Sequence, residues 1–234
     1  MALYLIPTPI SEEALTTLPQ ETVDVARRLK VFIVERAKSA RHFLKRLHPT
    51  CPISELVLVE FGRNGELTPQ IEEILKYAIQ QNADVGVLSE AGCPAVADPG
   101  AAVVALAHRL EVPVIPLVGP SSILLALMAS GLNGQRFTFH GYLSPKRPEL
   151  TRQLRQLEIQ ARQNNQTQIF IETPYRAPWL FEIALTALQA DTLLSVAQDL
   201  TGSQPFIRTK PVRLWREHRQ PLIAAPTVFL LGKE

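Results

Sequence analysis

Five short apolar runs, at residues 3–6, 31–34, 56–61, 85–88 and 112–117, punctuate the first half of the chain. Stretches with helical spacing lie between several of them. Ile71, Ile74, Leu75, Ala78 and Ile79 recur at the period of one helix face, and 101–110 forms another such stretch behind the start signal Asp98-Pro99-Gly100. Short apolar runs alternating with helices predict βα units and a mainly parallel sheet. The second half differs. After a helix over 121–131, apolar runs occur at 136–143, 168–172, 192–197 and 227–231, with charged or amphipathic helical stretches over 148–163 and 176–188. At 234 residues and 46% apolar content the chain can bury one large core or two smaller ones. The fold class expected is therefore α/β with two domains, 1–117 around a parallel sheet and 118–234 around a mixed one. A Pro- and Gly-containing joint near 117–120 connects them, and a cleft between two such domains is a common ligand site. The Gln- and Asn-rich segment 160–168 reads as a loop.

Loops at the carboxyl ends of strands hold the ligands of α/β sheets, and one here is unusual in composition. LSEAGCPAVADPG, residues 88–100, carries two acids, two prolines and two glycines, with neither a Gly-x-Gly-x-x-Gly nor a Lys-Ser/Thr pair for phosphates. Gly92 and Gly100 allow close backbone approach, and Pro94 and Pro99 stiffen the turn. Glu90 can accept from ribose hydroxyls or face a cation; Asp98 reads as the cap of the following helix. Two more strand-end turns share this character. Gly119-Pro120-Ser121-Ser122 opens a helix whose first amides attract anions, and Glu172-Thr173-Pro174-Tyr175-Arg176 ends a strand with an acid, a hydroxyl and an arginine.

Composition narrows the partners. Twenty-four basic and 22 acidic side chains leave a net charge of +2, too balanced for a nucleic-acid binder driven by bulk charge, so any basic surface is local. The part beyond residue 137 is mildly basic, which fits an anionic partner and is equally common as a solvated face. Cys51 and Cys93 have no partner at metal-ligand spacing, so neither a zinc site nor a disulfide framework is expected. The five histidines are scattered and read as structural or solvated. MALYLIPTPI has no basic lead and is broken by Pro7 and Pro9, so neither a signal peptide nor a membrane span is expected, and a cytoplasmic setting follows as the default.

Taken in order, the three turns resemble a known family. Ser89-Glu90-Ala91-Gly92-Cys93-Pro94 with Asp98-Pro99-Gly100 is similar to the Ser-Asp-Ala-Gly-Thr-Pro and Asp-Pro-Gly loop of the tetrapyrrole methylase superfamily. The likeness is nearest to its branch that methylates a cytidine ribose 2′-oxygen in small-subunit (16S) ribosomal RNA. Gly119-Pro120-Ser121-Ser122 is similar to that branch's Pro-Gly-Pro-Ser-Ala. Residues 137–147 resemble its Phe-x-Phe-x-Gly-Phe-Leu-Pro-x-Lys segment, and 172–176 its Glu-Ser-Pro-His-Arg. The resemblance implies a homodimeric two-domain methyltransferase that binds S-adenosylmethionine between the domains, needs no metal and acts on RNA. By position it makes Ser89, Glu90, Ala91, Gly92, Pro94, Ser121, Ser122, Thr173, Pro174, Pro226 and Thr227 cofactor contacts. Methyl transfer to a hydroxyl gains from a nearby base, and Glu35, where the family has Glu-Asp-Thr-Arg, is the candidate; a surface acid opening a helix is the bland reading of the same residue.

The departures bear on the substrate more than on the cofactor. Pro7 stands where the branch has the glycine of Gly-Thr-Pro-Ile-Gly-Asn, which deletes an N–H donor. Asp-Thr-Arg is missing after Glu35, and 198–202 reads Gln-Asp-Leu-Thr-Gly where the branch has Arg-Glu-Leu-Thr-Lys. A tetrapyrrole or other small metabolite as acceptor is one alternative. A non-catalytic protein that keeps the methylase fold and binds RNA or a partner is another.

Overall fold

The structure is a computed structural model that describes residues 1–219 and 221–233; Gln220 and Glu234, the last acid of the second half, lie outside the described residues. The chain forms two compact units, Met1–Ser121 and Ser122–Glu234.

Unit 1 runs β1 (Leu3–Ile6), α1 (Gln20–Arg28), β2 (Val31–Val34), α2 (Ala37–Arg46), β3 (Val57–Glu60), α3 (Pro69–Gln80), β4 (Val85–Leu88), α4 (Ala101–Arg109) and β5 (Val114–Pro116). All its strand pairs are parallel, in the spatial order β3-β2-β4-β1-β5. The chain steps from β1 past β4 to β2 and on to β3, then reverses, returning to β4 and past β1 to β5. Because such crossovers are right-handed, reversal moves the helices to the opposite face. The cores agree with this winding. Val25 and Ala26 of α1 and Phe43 and Leu44 of α2 pack with Ile6, Phe32 and Val34. Ile71 and Leu75 of α3 and Val103 and Ala107 of α4 pack with Leu3, Ile33, Val85 and Val87 on the other face. The central strand β4 is buried throughout, which is why it reads as an unbroken apolar run. Its Gly86 is a packing requirement, since a Cβ there would lie 2.7 Å from the Phe32 ring and 2.8 Å from Ile6 Cδ1.

Unit 2 runs α5 (Ser122–Ser130), β6 (Phe137–Tyr142), α6 (Arg147–Asn164), β7 (Thr167–Glu172), α7 (Ala177–Ala187), β8 (Leu193–Gln198), β9 (Phe206–Pro211), α8 (Val212–Glu217) and β10 (Thr227–Gly232). Its sheet has the order β6-β7-β10-β8-β9 and is mixed, with β6 and β7 parallel and the other pairs antiparallel. α5 packs on one face through Ile123, Ala126 and Leu127. Residues of α6, α7 and α8 share a second core with Phe170 and Phe229, centred on the fully buried Trp215, whose Nε1 donates to the Leu194 carbonyl at 2.9 Å. The segment 160–168 is not a loop. Buried Ala161 holds α6 to the core as far as Asn164, and Asn165 at φ 49° closes the helix in the left-handed region, so only Asn165 and Gln166 turn the chain. Strand β9 was not expected either. It is a sheet edge on which Arg208 and Lys210 interrupt the apolar pattern, as charged residues on edges do.

Candidate functional site

The winding of unit 1 sets where its ligand crevice opens. The connection leaving β2 turns toward β3 and that leaving β4 turns toward β5, so the loops of two adjacent strands diverge above their carboxyl ends. Glu35 follows β2 directly, and Ser89 and Glu90 follow β4. The two loops are tied together there. Glu35 Oε1 accepts the Glu90 N–H at 3.1 Å, and the Ser39 hydroxyl on α2 donates to Glu90 Oε1 at 2.6 Å.

The loop 89–100 is also fastened to the ends of β1 and β5. Thr8 and Gly92 exchange both backbone hydrogen bonds, at 2.9 and 3.0 Å, and the Cys93 thiol donates to the Pro120 carbonyl at 3.4 Å. Ser89 is buried in this staple, its hydroxyl donating to the Gly92 carbonyl and its own carbonyl accepting from the Thr8 hydroxyl. Four residues of the loop take positive φ, namely Gly92 (81°), Ala95 (65°), Ala97 (64°) and Gly100 (138°). Alanine in this region costs about 1–2 kcal/mol, a strain tolerated only where the surroundings overdetermine the backbone. Pro7 finds its reason here. A Cβ on Gly119 would come within 2.2 Å of Pro7 Cβ, so the proline ring fills the space that a side chain at 119 would occupy, while residue 8 makes the backbone contact to the β4 loop.

The electrostatics single out two carboxylates, Asp98 and Glu35, beside the charge of Glu90. Asp98 is pushed up to about 6, first by burial and then by the charges of Glu35 and Glu90. Burial likewise raises Glu35, with Glu90 adding to the rise, while the Glu90 N–H and the Arg36 charge oppose it. Burial, then Asp98, raises the Cys93 thiol. The expectation that Asp98 caps α4 is corrected: the N-cap position is Gly100, with no side-chain cap, and Asp98 lies two residues before it, half-buried and within the field of Glu35. Sequence reading missed this grouping because an acid ahead of a helix has the same signature whether it caps or not. Two cavities open at these strand ends, and Arg36 lines both. One, about 500 Å³, is bounded by Thr8, Ser39, Ser89 and Glu90; the other, about 560 Å³, by Glu35, Asp98, Gly62 and Gly65.

Of the remaining sequence-selected residues, Ala91 is exposed and Pro94 buried, Ser121 ends unit 1, and Ser122 is the first residue of α5. In unit 2 the buried Glu172 accepts at Oε1 from the Thr173 N–H (2.7 Å) and hydroxyl (3.2 Å). Its Oε2 is 2.9 Å from the Arg176 guanidinium, an ion pair without hydrogen-bond alignment. Thr173 is thus held by the acid that precedes it, with Pro174 partly exposed beside it. The Thr227 hydroxyl is engaged inside the sheet, donating to Ala225 and accepting from Gln198 Nε2, both at 2.8 Å, and Pro226 is exposed.

Residues 2–212 match the family described as Tetrapyrrole (Corrin/Porphyrin) Methylases. Relatives are similar over most of the chain. The protein named Ribosomal RNA small subunit methyltransferase I from Synechocystis is 29% identical over 85% of this chain and 67% of its own length. Its namesakes from Escherichia coli O157:H7 and Mesorhizobium japonicum are 28% and 30% identical, over 90% and 93% of this chain and 69% of their own lengths. Among solved structures, uroporphyrin-III-C-methyltransferase from Thermus thermophilus shares the fold, with a TM-score of 0.55 at 16% identity over 99% of this chain and 92% of that one. With two α/β units, this strand-end loop and a match over nearly the whole chain, the protein belongs to the tetrapyrrole methylase family of methyltransferases.

Proposed function

We propose that the protein transfers a methyl group from S-adenosylmethionine to RNA, with a ribose 2′-hydroxyl of small-subunit ribosomal RNA as acceptor. The observation that carries this reading is the likeness, over 85–93% of the chain, to proteins named as methyltransferases of small-subunit ribosomal RNA. Only the family's description speaks for a tetrapyrrole acceptor.

The residues of the β4 loop suit a sulfonium cofactor. Glu35, Glu90 and Asp98 have no ion-pair partner within 4.0 Å among the described residues, and they repel one another, so a cation bound near them relieves that repulsion. Gly92 leaves room for close backbone approach, because a Cβ there meets nothing nearer than the Pro120 carbonyl at 3.6 Å. In this reading Ser89, Glu90, Ala91, Gly92 and Pro94 contact the cofactor, as do Ser121, Ser122, Thr173, Pro174 and the backbone of Pro226 and Thr227. The bound cofactor supplies an electrophilic methyl carbon. Glu35 would take the proton of the acceptor hydroxyl as the hydroxyl oxygen bonds to that carbon and the carbon–sulfur bond breaks, its electron pair leaving on sulfur as the neutral thioether S-adenosylhomocysteine, and the raised pKa of Glu35 suits the task. Rigid loops contribute the larger part of the rate by orientation and exclusion of water.

We also infer a homodimer and a cytoplasmic site of action beside the ribosome. Leu124 and Met128, four residues apart on α5, are 51% and 80% exposed, an apolar pair suited to a subunit contact. Among the described residues no helix is long and apolar enough to cross a membrane. The test is transfer of labelled methyl to ribosomal RNA from a strain lacking the protein. Incorporation into small-subunit RNA by the wild type, lost in Gly92→Trp, is expected; no incorporation into any RNA overturns the reading.

A further inference from the structure

The sequence placed the mildly basic surface in the second half, yet four of the twelve Lys and Arg residues beyond residue 137 are already paired with acids. Arg162 pairs with Asp191, Arg176 with Glu172, Arg219 with Glu182 and Lys146 with Glu149. Unit 1 holds the stronger concentration. Five of its eleven Lys and Arg residues fall within positions 36–46, although it contains fourteen Asp and Glu, and no acid occurs between Glu35 and Glu55.

Helix α2 sorts these charges. At about 100° per residue, Lys38, Arg41, His42, Lys45 and Arg46 span an arc of about 140°, opposite Ala40, Phe43, Leu44 and Leu47. The apolar side is buried in the core of unit 1; Lys38, Arg41, His42 and Lys45 are exposed. None of the five Lys and Arg residues has an ion-pair partner within 4.0 Å among the described residues.

A solvated helix face normally mixes signs, as the Glu72 and Lys76 pair of α3 does. Here like charges sit three and four residues apart, which weakens the helix. Lys45 and Arg46 gain from the dipole at the last turn, but Arg36 and Lys38 lie at the first turn, where the dipole disfavours cations. The cap is supplied from elsewhere, by Glu60 Oε1 accepting the Ala37 N–H at 2.6 Å. Local stability therefore gives no account of Arg36 and Lys38. Both line the 500 Å³ cavity that Ser89 and Glu90 also bound, together with His42 and Arg46.

We propose that the basic face of α2, continued through Arg36 and Lys38 into this cavity, is the surface that grips the phosphate backbone of the RNA substrate and brings its acceptor to the ends of β2 and β4. The face is about 12 Å long from Lys38 to Arg46, enough for successive phosphates of one strand. It rests on the reading of the substrate as RNA.

The test measures affinity for a fluorescent single-stranded oligoribonucleotide of mixed sequence across a salt series. Lys38→Glu/Arg41→Glu is compared with Arg152→Glu/Arg155→Glu on α6, an equal charge change on exposed positions of unit 2. Loss of two phosphate contacts is expected to flatten the plot of log affinity against log salt by about 1.4 and to weaken binding at least about tenfold near 0.1 M salt. The α6 variant should keep the wild-type slope. A wild-type slope in the α2 variant, equal losses in both variants, or no binding by the wild type overturns the proposal. Should the α2 variant fail to fold, Lys38→Gln/Arg41→Gln gives the same slope readout. Methyl transfer to ribosomal RNA with an unchanged α2 slope removes only this surface. Binding through α2 without methylation of any RNA removes only the methyltransferase reading.

Discussion

Glu35 and Asp98 illustrate what a single residue type leaves open. Glu35 was legible as a strand-end acid, because the apolar run 31–34 stops directly before it. Its structure departs from that of a surface acid opening a helix: it is half-buried, its Oε1 holds the Glu90 N–H, and α2 begins two residues later with Glu60 as its cap. Asp98 was illegible, since its burial depends on how the loop folds back through four positive-φ residues. The two acids have separable roles in the proposed chemistry. Glu35→Gln keeps an oxygen for the Glu90 N–H and removes the base, so the single-turnover rate at saturating cofactor should fall by about 10²- to 10⁴-fold, while the Kd for S-adenosylmethionine rises by a smaller factor because the cation loses one of its three carboxylates. Single-turnover methylation together with calorimetry checks this. A single-turnover rate within about threefold of wild type would remove Glu35 as the base.

At the scale of elements, most strands and helices were readable because one face or both are buried, and the ends differ from the apolar runs by only a residue or two. What escaped was set by neighbours in space. The edge strand β9 has no second partner to demand apolar residues, and α6 persists through a polar tail because Ala161 packs against the core. The substitutions that separate this chain from its resembled branch have the same character. Gly202 leaves room for the Asp199 carboxylate, which accepts the Gln204 N–H at 2.8 Å, where a Cβ would lie 2.0 Å from Oδ1. Pro7 likewise depends on a neighbour in space, packing its ring against Gly119, a glycine that the branch shares. Gly119→Ala should destabilise unit 1 by about 3 kcal/mol, because the clash is with a rigid ring. Adding Pro7→Gly, which removes both the Cβ and the ring that a side chain at 119 would strike, should recover a large part of that loss, measured by urea unfolding as a coupling between the sites. Additive effects would show that the ring does not set the identity of residue 119.

For the whole molecule, a net charge of +2 hides two opposite local fields: the cationic face of α2 and, at the adjacent strand ends, the carboxylates of Glu35, Glu90 and Asp98. If the cofactor binds as proposed, its positive sulfur lies in the second field, and its affinity should depend on pH in a definite direction. Below about 6 Asp98 is protonated and neutral; above it the carboxylate ionises against the repulsion of its neighbours. A cation stabilises the ionised form, lowers the Asp98 pKa in the complex and releases a proton on binding. Affinity for S-adenosylmethionine therefore rises as pH passes from about 5 to about 7, by roughly tenfold for each unit that binding lowers the pKa. S-adenosylhomocysteine has the same ribose, adenine and amino-acid ends but an uncharged sulfur, so its affinity should change much less over the same range. Calorimetry of both compounds at pH 5 and 7.5 isolates the sulfonium, because titrations at the shared ends cancel in the ratio. In Asp98→Asn that rise should be much smaller, what is left coming from Glu35. A wild-type ratio that does not rise with pH would mean that the methyl donor's charge lies outside the reach of these acids, and the cofactor would then have to be sought away from the crevice between β2 and β4.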